Sequence, residues 1–492
     1  MWLKIYFLFS VIIFFYSISY MLLLLFLAIQ SIRSQRRLEI NMPDDDTIRY
    51  IMKGSPITPK VSIIAPAYNE EVDILDNVYS LLQIYYPRYE VIVVNDESTD
   101  KTLELLIDEF NLIEVPFNDL RRVPSKPIKK VYRSLNPQFS KLTVVDKVHG
   151  GRKSDATNAG LNICTSRYFV STDVDCIIEP MALYRMMWLV INSHVPVIGV
   201  GTTMLMLNGC TVENGRVTEP GVSLTPLPLY QQIEYMRSYL IGKMGWAAMN
   251  ALPNISGGFG LFDTDVVVKS GGYDPTSMAE DMDLLLRMVT YMKNSGQKFR
   301  LAQIPQVCCW TEGPFTLLSF FRQRKRWARG LCEVLSNHHK LFFNPHYGTV
   351  GAFTLPYVFL FEFLAPILEV TGFCFMVWLV LIGRVNWNTA FAIFGMIYLF
   401  SVSMTFLVLV YDYSTRAVKW KSTFWSYAKL VLAALTEPFL YHPYILFCSL
   451  AGYWNFLSRK TAVWTSIQRQ GFRNRAKKKK TTETENVENR EG

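Results

Sequence analysis

The chain lacks the marks of a thiol-metal protein, a repeat protein or a P-loop protein. Its eight cysteines form no C-x-x-C pair and show no metal-ligand spacing, and the adjacent Cys308 and Cys309 are poorly placed to bridge each other. Reduced thiols facing a cytosol fit that usage. No segment repeats, which excludes solenoid and propeller arrays. His149-Gly150-Gly151-Arg152-Lys153-Ser154 superficially resembles a phosphate loop but fails the G-x-x-x-x-G-K-[ST] pattern, because Arg152 replaces the glycine before the lysine. Acidic excess is also missing: 50 Lys and Arg against 41 Asp and Glu give a formal net charge of +9.

Apolar sequence is abundant instead, at half of 492 residues. That length accommodates more than one domain. Residues 6–29 are an almost unbroken Leu, Ile, Phe, Val and Tyr run, close to the roughly 20 residues that span a bilayer. Arg33, Arg36 and Arg37 follow it rather than a small-residue cleavage site, which favours an anchor over a signal peptide. Positive flanks stay cytoplasmic, so the N-terminus is expected outside and the following domain inside. Arg416, Lys419 and Lys421, and the tail with Lys477 to Lys480, carry the same sign. Such a basic membrane protein meets anionic lipid, not nucleic acid.

These shifts divide the chain. Residues 1–37 are an N-terminal transmembrane helix with its basic flank, and 38–59 are polar and read as a linker. Residues 60–340 form a cytoplasmic α/β domain. Strands are predicted over 61–66, 89–94, 142–145 and 168–171, and helices over 71–85 and 101–110. This alternation argues for a mostly parallel sheet. Residues 202–221 read as an insertion with a hairpin. The region 341–458 holds transmembrane and interfacial helices: spans over 353–382 and 389–410, then a segment over 424–456 broken by Glu437-Pro438 and His442-Pro443. That segment crosses twice or not at all if both its flanks are cytoplasmic. Glu362, Pro366 and Glu369 argue that part of the first span lies flat at the interface. The tail, 459–492, is basic and expected to be largely disordered.

Within 60–340, two apolar runs end in acids. Val93-Val94 leads into Asn95-Asp96-Glu97-Ser98, and Ser171-Thr172 into Asp173-Val174-Asp175. Ligands of open α/β sheets bind at the carboxyl ends of strands, so both clusters point at one crevice, as does Tyr68-Asn69-Glu70. In extended chain Asp173 and Asp175 face the same way and offer hard oxygens to Mg²⁺ or Mn²⁺; an ordinary Asp-rich turn uses the same residues. Asp96 suits a base or ribose, while Ser98-Thr99-Asp100 suit a helix cap. Lys153 serves equally as a phosphate ligand or a solvated surface lysine. Glu280 and Asp281 open a predicted helix, where acids favour the dipole and where a positioned carboxylate also makes a general base for a sugar hydroxyl. Ser256-Gly257-Gly258-Phe259-Gly260 permits close backbone approach or a tight core turn. Gln323-Arg324-Lys325-Arg326-Trp327 closes the domain. Arg326 can neutralise a departing diphosphate and Trp327 can stack on a sugar. Arg322, Arg324, Lys325 and Arg329 are read as facing lipid headgroups.

In this order the motifs resemble the membrane-embedded processive β-glycosyltransferases of family 2, the cellulose, hyaluronan and poly-N-acetylglucosamine synthases. The resemblance rests on Ala67-Tyr68-Asn69-Glu70, Asp96, Asp173-x-Asp175, Glu280-Asp281 and Gln323-x-x-Arg326-Trp327. It runs from about Lys60 to Gly330 and more loosely into the C-terminal helices. It implies a GT-A-type nucleotide-sugar domain with a mixed, mostly parallel sheet, plus an α-helical transmembrane bundle. Glu70, Asp96, Lys153 and Asp173 would hold a UDP-sugar, with Tyr68 and Glu280 completing the substrate-binding set. Asp175, beside Asp173, would ligate Mg²⁺ or Mn²⁺, and Asp281 would be the catalytic base. Gln323, Arg326 and Trp327 would hold the diphosphate and the acceptor end. The reaction would invert the anomeric carbon while extending a polysaccharide coupled to export across the cell membrane. Saccharide or lipid-linked acceptors, membrane lipid and a small membrane or export partner fit such an enzyme.

A transferase adding one sugar to a membrane lipid carries a similar Q-x-x-R-W element and is the alternative. Three departures stand out. Asn95-Asp96-Glu97 replaces the family's two aspartates and glycine, Ala279 replaces a threonine, and residues 202–221 have no obvious counterpart. No long regulatory stretch follows the last apolar segment here, so a built-in cyclic dinucleotide sensor is not expected.

Overall fold

The computed structural model describes residues 2–415 and 418–459, with side chains from Ser10 onward. Arg416 and the basic tail with Lys477 to Lys480 lie outside the described residues.

The strands are β1 (Val61–Ala67), β2 (Tyr89–Asn95), β3 (Leu112–Glu114), β4 (Ile128–Ser134), β5 (Leu142–Lys147) and β6 (Tyr168–Thr172). They continue as β7 (Cys176–Ile178), β8 (Val197–Met206), β9 (Thr211–Glu213), β10 (Arg216–Glu219), β11 (Phe259–Asp263) and β12 (Arg300–Thr311). Ten of them form one sheet in the order β3-β4-β5-β2-β1-β6-β11-β8-β12-β7. Its centre, β5-β2-β1-β6, is parallel. β11 runs antiparallel between β6 and β8, so the sheet is mixed. Strands buried on both faces read as near-continuous apolar runs, which is why β1, β2, β5 and β6 were visible in the sequence and each emerges within two residues of its predicted end.

Other elements depart from expectation. The first helix runs unbroken from Trp2 to Asn41. The segment read as a linker then folds as a helix, Asp45–Lys53, capped by Asp44 and burying Ile48 and Met52. Its period-3.6 apolar pair was too short to outweigh its acids. The segment 202–221 is only partly an insertion: Val197–Met206 is a wholly buried strand between β11 and β12, and only β9 and β10 make the hairpin. Glycines at 199 and 201 hid that strand, although a Cβ on Gly199 would meet Ile255 at 2.5 Å.

Three described helices are long and apolar enough to cross a membrane: Ser10–Asn41, Val350–Leu381 and Trp387–Thr415. Thr423–Leu440 and His442–Leu457 form a pair bent by 49°. That break falls at the His442-Pro443 step seen in the sequence; Pro438 stays inside the first helix of the pair. Glu369 accepts from His442 Nε2 at 2.6 Å.

The pentad Gln323-Arg324-Lys325-Arg326-Trp327 lies on the helix Leu317–Asn337, capped by Thr316. Glycines let it approach backbone on two sides. A Cβ on Gly330 would sit 2.8 Å from Ala279 Cβ, and one on Gly452 would sit 2.6 Å from Ala328 Cβ and 2.7 Å from the Lys325 carbonyl oxygen. Gly452→Val should therefore push the bent pair off the pentad helix. A loss of about 1–3 kcal/mol, read as a lower unfolding temperature of the purified protein, is expected, and an unchanged temperature would contradict the packing.

Candidate active site

β2, β1 and β6 are neighbours, and their parallel register aligns Asn95 with Ala67 and Ser171 with Ile64. Their carboxyl ends consequently deliver Asp96, Tyr68-Asn69-Glu70 and Asp173-x-Asp175 to one rim. β11 runs the other way, so its start lies at the end of β6, where the Asp173 amide donates to the Gly258 carbonyl at 3.1 Å. Gly257 is ringed by Glu280, Asp281 and Lys153, the nearest atoms 3.7–3.9 Å from where a Cβ would stand. A cavity of about 1390 Å³ joins these parts. Its lining includes every residue expected to bind substrate, ligate metal or act as base: Tyr68, Glu70, Asp96, Lys153, Asp173, Asp175, Glu280, Asp281, Gln323, Arg326 and Trp327.

At the base of β2 the charges are buried and paired. Lys147, fully buried at the end of β5, reaches Asp96 at 2.5 Å and Asp155 at 2.6 Å. Burying an ion without partners costs several kcal/mol, so these three side chains depend on one another. Asp96 also accepts from the Gly150 amide at 2.9 Å and faces His149 Nδ1 at 3.0 Å. The His149 ring stacks on Tyr68 with centroids 4.6 Å apart. Lys147 and His149 escaped the sequence reading, because a lysine ending an apolar strand gives no sign of being buried.

The departure at Glu97 is now legible. Glu97 takes a left-handed backbone with φ of 57°, a conformation that suits glycine and strains most other residues by about 1–2 kcal/mol. Lys129 at 2.5 Å and the His149 amide at 2.8 Å hold its carboxylate. The turn's shape is thus kept without the glycine.

Asp173, Asp175 and the buried Cys176 place one candidate ligand atom each within 4.8 Å of one another. The two carboxylates are hard donors suited to Mg²⁺ or Mn²⁺. Lys153 bridges Asp173 at 2.5 Å, donates to the Gly257 carbonyl and lines the cavity instead of standing on the solvated surface. Burial alone would lower the Lys153 ammonium, but Asp173 and Glu280 more than offset it and hold it above its ordinary value. Glu280 is raised above the usual glutamate range by burial and by its neighbour Asp281.

Asp281 opens the helix Glu280–Asn294. Its Oδ2 accepts from Asn254 Nδ2 at 2.8 Å and its Oδ1 from the Met282 amide at 2.9 Å. Two fixed donors aim the carboxylate into the cavity without neutralising it. Further in, Lys243 is 8% exposed, lines the same cavity, and lies 4.7 Å from the centroid of the Tyr239 ring. Burial lowers its ammonium to about 8, with Asp281 opposing the shift. It ends a π-helical segment, Ser238–Lys243, a form frequent at functional sites, and a single lysine after an apolar stretch carried no signal for it.

The pentad divides differently from expectation. Gln323 Oε1 is buried and finds no hydrogen-bond partner among the described residues, which fits a group kept for a ligand. Arg326 lies near enough to Glu280 to favour its charged form. Arg324 does not face lipid: it is 8% exposed and forks onto Glu234 at 2.6 and 2.7 Å. Arg329 is likewise engaged, with Glu333 at 2.9 Å and Asn455 at 2.6 Å, and Arg322 lines the cavity. The alternation of basic residues resembled an interfacial girdle because helix facing cannot be assigned within one five-residue motif.

Three family models match the chain. Residues 229–457 match "Glycosyl transferase family group 2", residues 62–122 "Glycosyl transferase family 2" and residues 125–330 "Glycosyltransferase like family 2". Over 289 residues the chain is 28% identical to the probable glycosyltransferase YdaM of Bacillus subtilis, covering 58% of each. It is 24% identical over 353 residues to the poly-beta-1,6-N-acetyl-D-glucosamine synthase of Staphylococcus epidermidis, covering 71% of this chain and 72% of that one. The Staphylococcus aureus synthase is 28% identical over 278 residues, covering 56% and 55%. The matches to YdaM and to the S. aureus enzyme thus span little more than half of those proteins. Among solved structures, a mannosyltransferase of Pyrobaculum calidifontis in complex with GDP-Man and Mn²⁺ aligns over 88% of this chain and 99% of its own, with 17% identity and a TM-score of 0.44.

Lys147→Met should leave Asp96 and Asp155 buried without their cation. A stability loss of about 3–5 kcal/mol, partly recovered by adding Asp155→Asn, is the expected outcome of thermal unfolding. Equal stability of Lys147→Met and the parent would show that the ion pairs carry nothing.

Proposed function

Because the chain belongs to glycosyltransferase family 2, we propose that it is an inverting membrane-bound synthase. It transfers a sugar from a UDP-sugar to the end of a growing saccharide and feeds the product into its own membrane helices. The observation that carries this reading is the single cavity that joins the strand-end acids, Asp281 and the pentad to Tyr20, Glu362, Met404 and Tyr453 of the membrane helices. The poly-N-acetylglucosamine synthases among its relatives make UDP-N-acetylglucosamine the first donor to test.

In this reading the base and ribose lie against Tyr68, Glu70 and Asp96. Lys153 and Arg326 meet the diphosphate from two sides, and Gln323 offers its open amide oxygen to the bound substrate. A divalent cation, Mg²⁺ or Mn²⁺, held by Asp173 and Asp175 supplies further charge neutralisation to the diphosphate when bound. The acceptor hydroxyl stands before Asp281. As its oxygen bonds to the anomeric carbon, its proton passes to the Asp281 carboxylate. The carbon–oxygen bond to the diphosphate breaks on the opposite face and its electron pair leaves with UDP. Attack opposite the leaving group inverts the anomeric configuration. Trp327 gives the acceptor ring an apolar face.

The catalytic domain, 60–340, is placed on the cytoplasmic side of the cell membrane, where nucleotide sugars are made. Lys421, in the loop after the Trp387–Thr415 span, supports this placement: it pairs with Glu219 of the β9–β10 hairpin at 2.5 Å, which puts basic loop and catalytic domain on one side.

Asp281→Asn should lower sugar transfer by about 10²–10⁴-fold while leaving UDP binding intact, measured on the full chain in nanodiscs with Mn²⁺ and a panel of UDP-sugars. Retained turnover would remove Asp281 as the base. Release of UDP with only one sugar added to a lipid would replace polymerisation with lipid glycosylation.

A further inference from the structure

The buried arginine of the pentad has no part in the reaction just described, yet its guanidinium is bonded to two other side chains. Arg324 Nη1 and Nη2 fork onto the two oxygens of Glu234, and Nη2 also reaches Tyr441 Oη at 3.3 Å. The Tyr441 hydroxyl in turn donates to Glu234 Oε2 at 2.5 Å. The three groups close a ring of hydrogen bonds. A planar guanidinium is suited to such a ring because it donates in its plane and leaves both faces free. Two aromatic rings lie beside it: the guanidinium carbon stands over the Trp327 ring, 4.4 Å from its centroid, and over the Phe320 ring, 4.8 Å from its centroid. Trp327 keeps 38% of its surface exposed and lines the cavity, so the indole has a charged backing on one side and the substrate space on another.

The position of Tyr441 gives the ring a second meaning. Tyr441 stands at the break between Thr423–Leu440 and His442–Leu457, the pair bent by 49°. Glu234 sits on the helix Pro226–Arg237. One turn further on the same helix, Arg237 pairs with Glu437 at 2.5 Å and donates to Thr405 Oγ1 at 2.6 Å. Two ion pairs on one helix therefore tie the pentad to the bent pair, and the hydrogen bond to Thr405 ties it to the Trp387–Thr415 helix. A buried ion pair adds little net stability over an apolar replacement, yet removing one partner strands the other charge.

We infer that Arg324 is a positioning residue for the acceptor saccharide: it fixes the Trp327 ring through a face contact, and Tyr441 sets Arg324 according to the bend of the membrane helices. The inference rests on the proposed function for the identity of the acceptor, and on geometry alone for the contact. Occupancy of the membrane helices by product and placement of the acceptor end are then two readings of one hydrogen-bonded ring. Donor binding is untouched, because the ring makes no contact with Asp96, Lys153 or Asp173 among the contacts above. Arg324→Lys keeps a charge for Glu234 but loses the fork and the flat face. Tyr441→Phe removes one hydroxyl and nothing else.

The test uses the full chain in nanodiscs with 5-fluorotryptophan in place of tryptophan, and Trp327→Phe to assign the Trp327 fluorine resonance. Arg324→Lys and Tyr441→Phe should both move that resonance. Tyr398→Phe, whose hydroxyl bonds the Leu435 carbonyl outside the ring, should not. With UDP-N-acetylglucosamine as donor and a short N-acetylglucosamine oligosaccharide as acceptor, both ring variants should raise the acceptor KM about 10-fold, the effect of losing a desolvated cation–π contact. UDP affinity should stay within about twofold of the parent, a change too small to count as a lost contact. An unmoved resonance in Tyr441→Phe overturns the link to the bend. UDP affinity falling together with acceptor affinity overturns the positioning role, since general loosening of the fold does that. If the unaltered protein transfers no sugar from that donor, the functional reading fails there, and the fluorine spectra still decide the contact.

Discussion

Everything at the site depends on how closely one helix can lie against its neighbours. The pentad helix is held between the loop that leads into Glu280 and Asp281 and the bent pair Thr423–Leu440 and His442–Leu457, and on both sides a glycine admits backbone where a side chain would clash. Without those two approaches, Gln323, Arg326 and Trp327 would stand off from the sheet edge that bears the acids. The loop side is further fixed by the Glu333 carboxylate, which accepts from the Met278 amide at 3.1 Å. Arg152, beside Lys153, donates to the carbonyls of Thr276 and Ser277. The cavity is thus closed by three chain segments that no single secondary-structure element connects.

Within that frame the charges organise themselves by burial. Carboxylates outnumber cations around the sheet edge, and the protein resolves the imbalance by sinking lysines among them: Lys147 between Asp96 and Asp155, Lys153 between Asp173 and Glu280. Burial pushes a carboxylate towards its protonated form, and a neighbouring cation opposes that shift. Asp281 is treated differently, with one amide of Asn254 and one backbone amide as its donors. It is oriented by neutral groups, which suits the base proposed for it better than a salt bridge would.

How much of this was legible beforehand follows from the range of the forces involved. The central strands were readable because strands covered on both faces must be continuously apolar. The acids at their ends were readable because the sheet edge where ligands bind is a property of strand direction. Glycine-rich Val197–Met206 was not, since its fitness as a central strand comes from the room its glycines leave for Ile255 and Gln303. Asp45–Lys53 was not, since two buried side chains hold a helix that its composition disfavours. Arg324 and Arg329 were misassigned to lipid for the same reason: Glu234 and Asn455 lie 90 and 126 residues away in the chain.

The sequence by itself determined the alternation of strands and helices, the acids at strand ends, the apolar spans and the pentad between them, because each is written in neighbouring residues. Tertiary structure alone decided which of those residues meet. It brought the pentad over the acids, buried Lys147, turned Arg324 inward against Trp327 and bent the last described apolar helices around Tyr441. Those outcomes rest on close packing and on ion pairs between distant segments, and such contacts have energy only once the chain has folded.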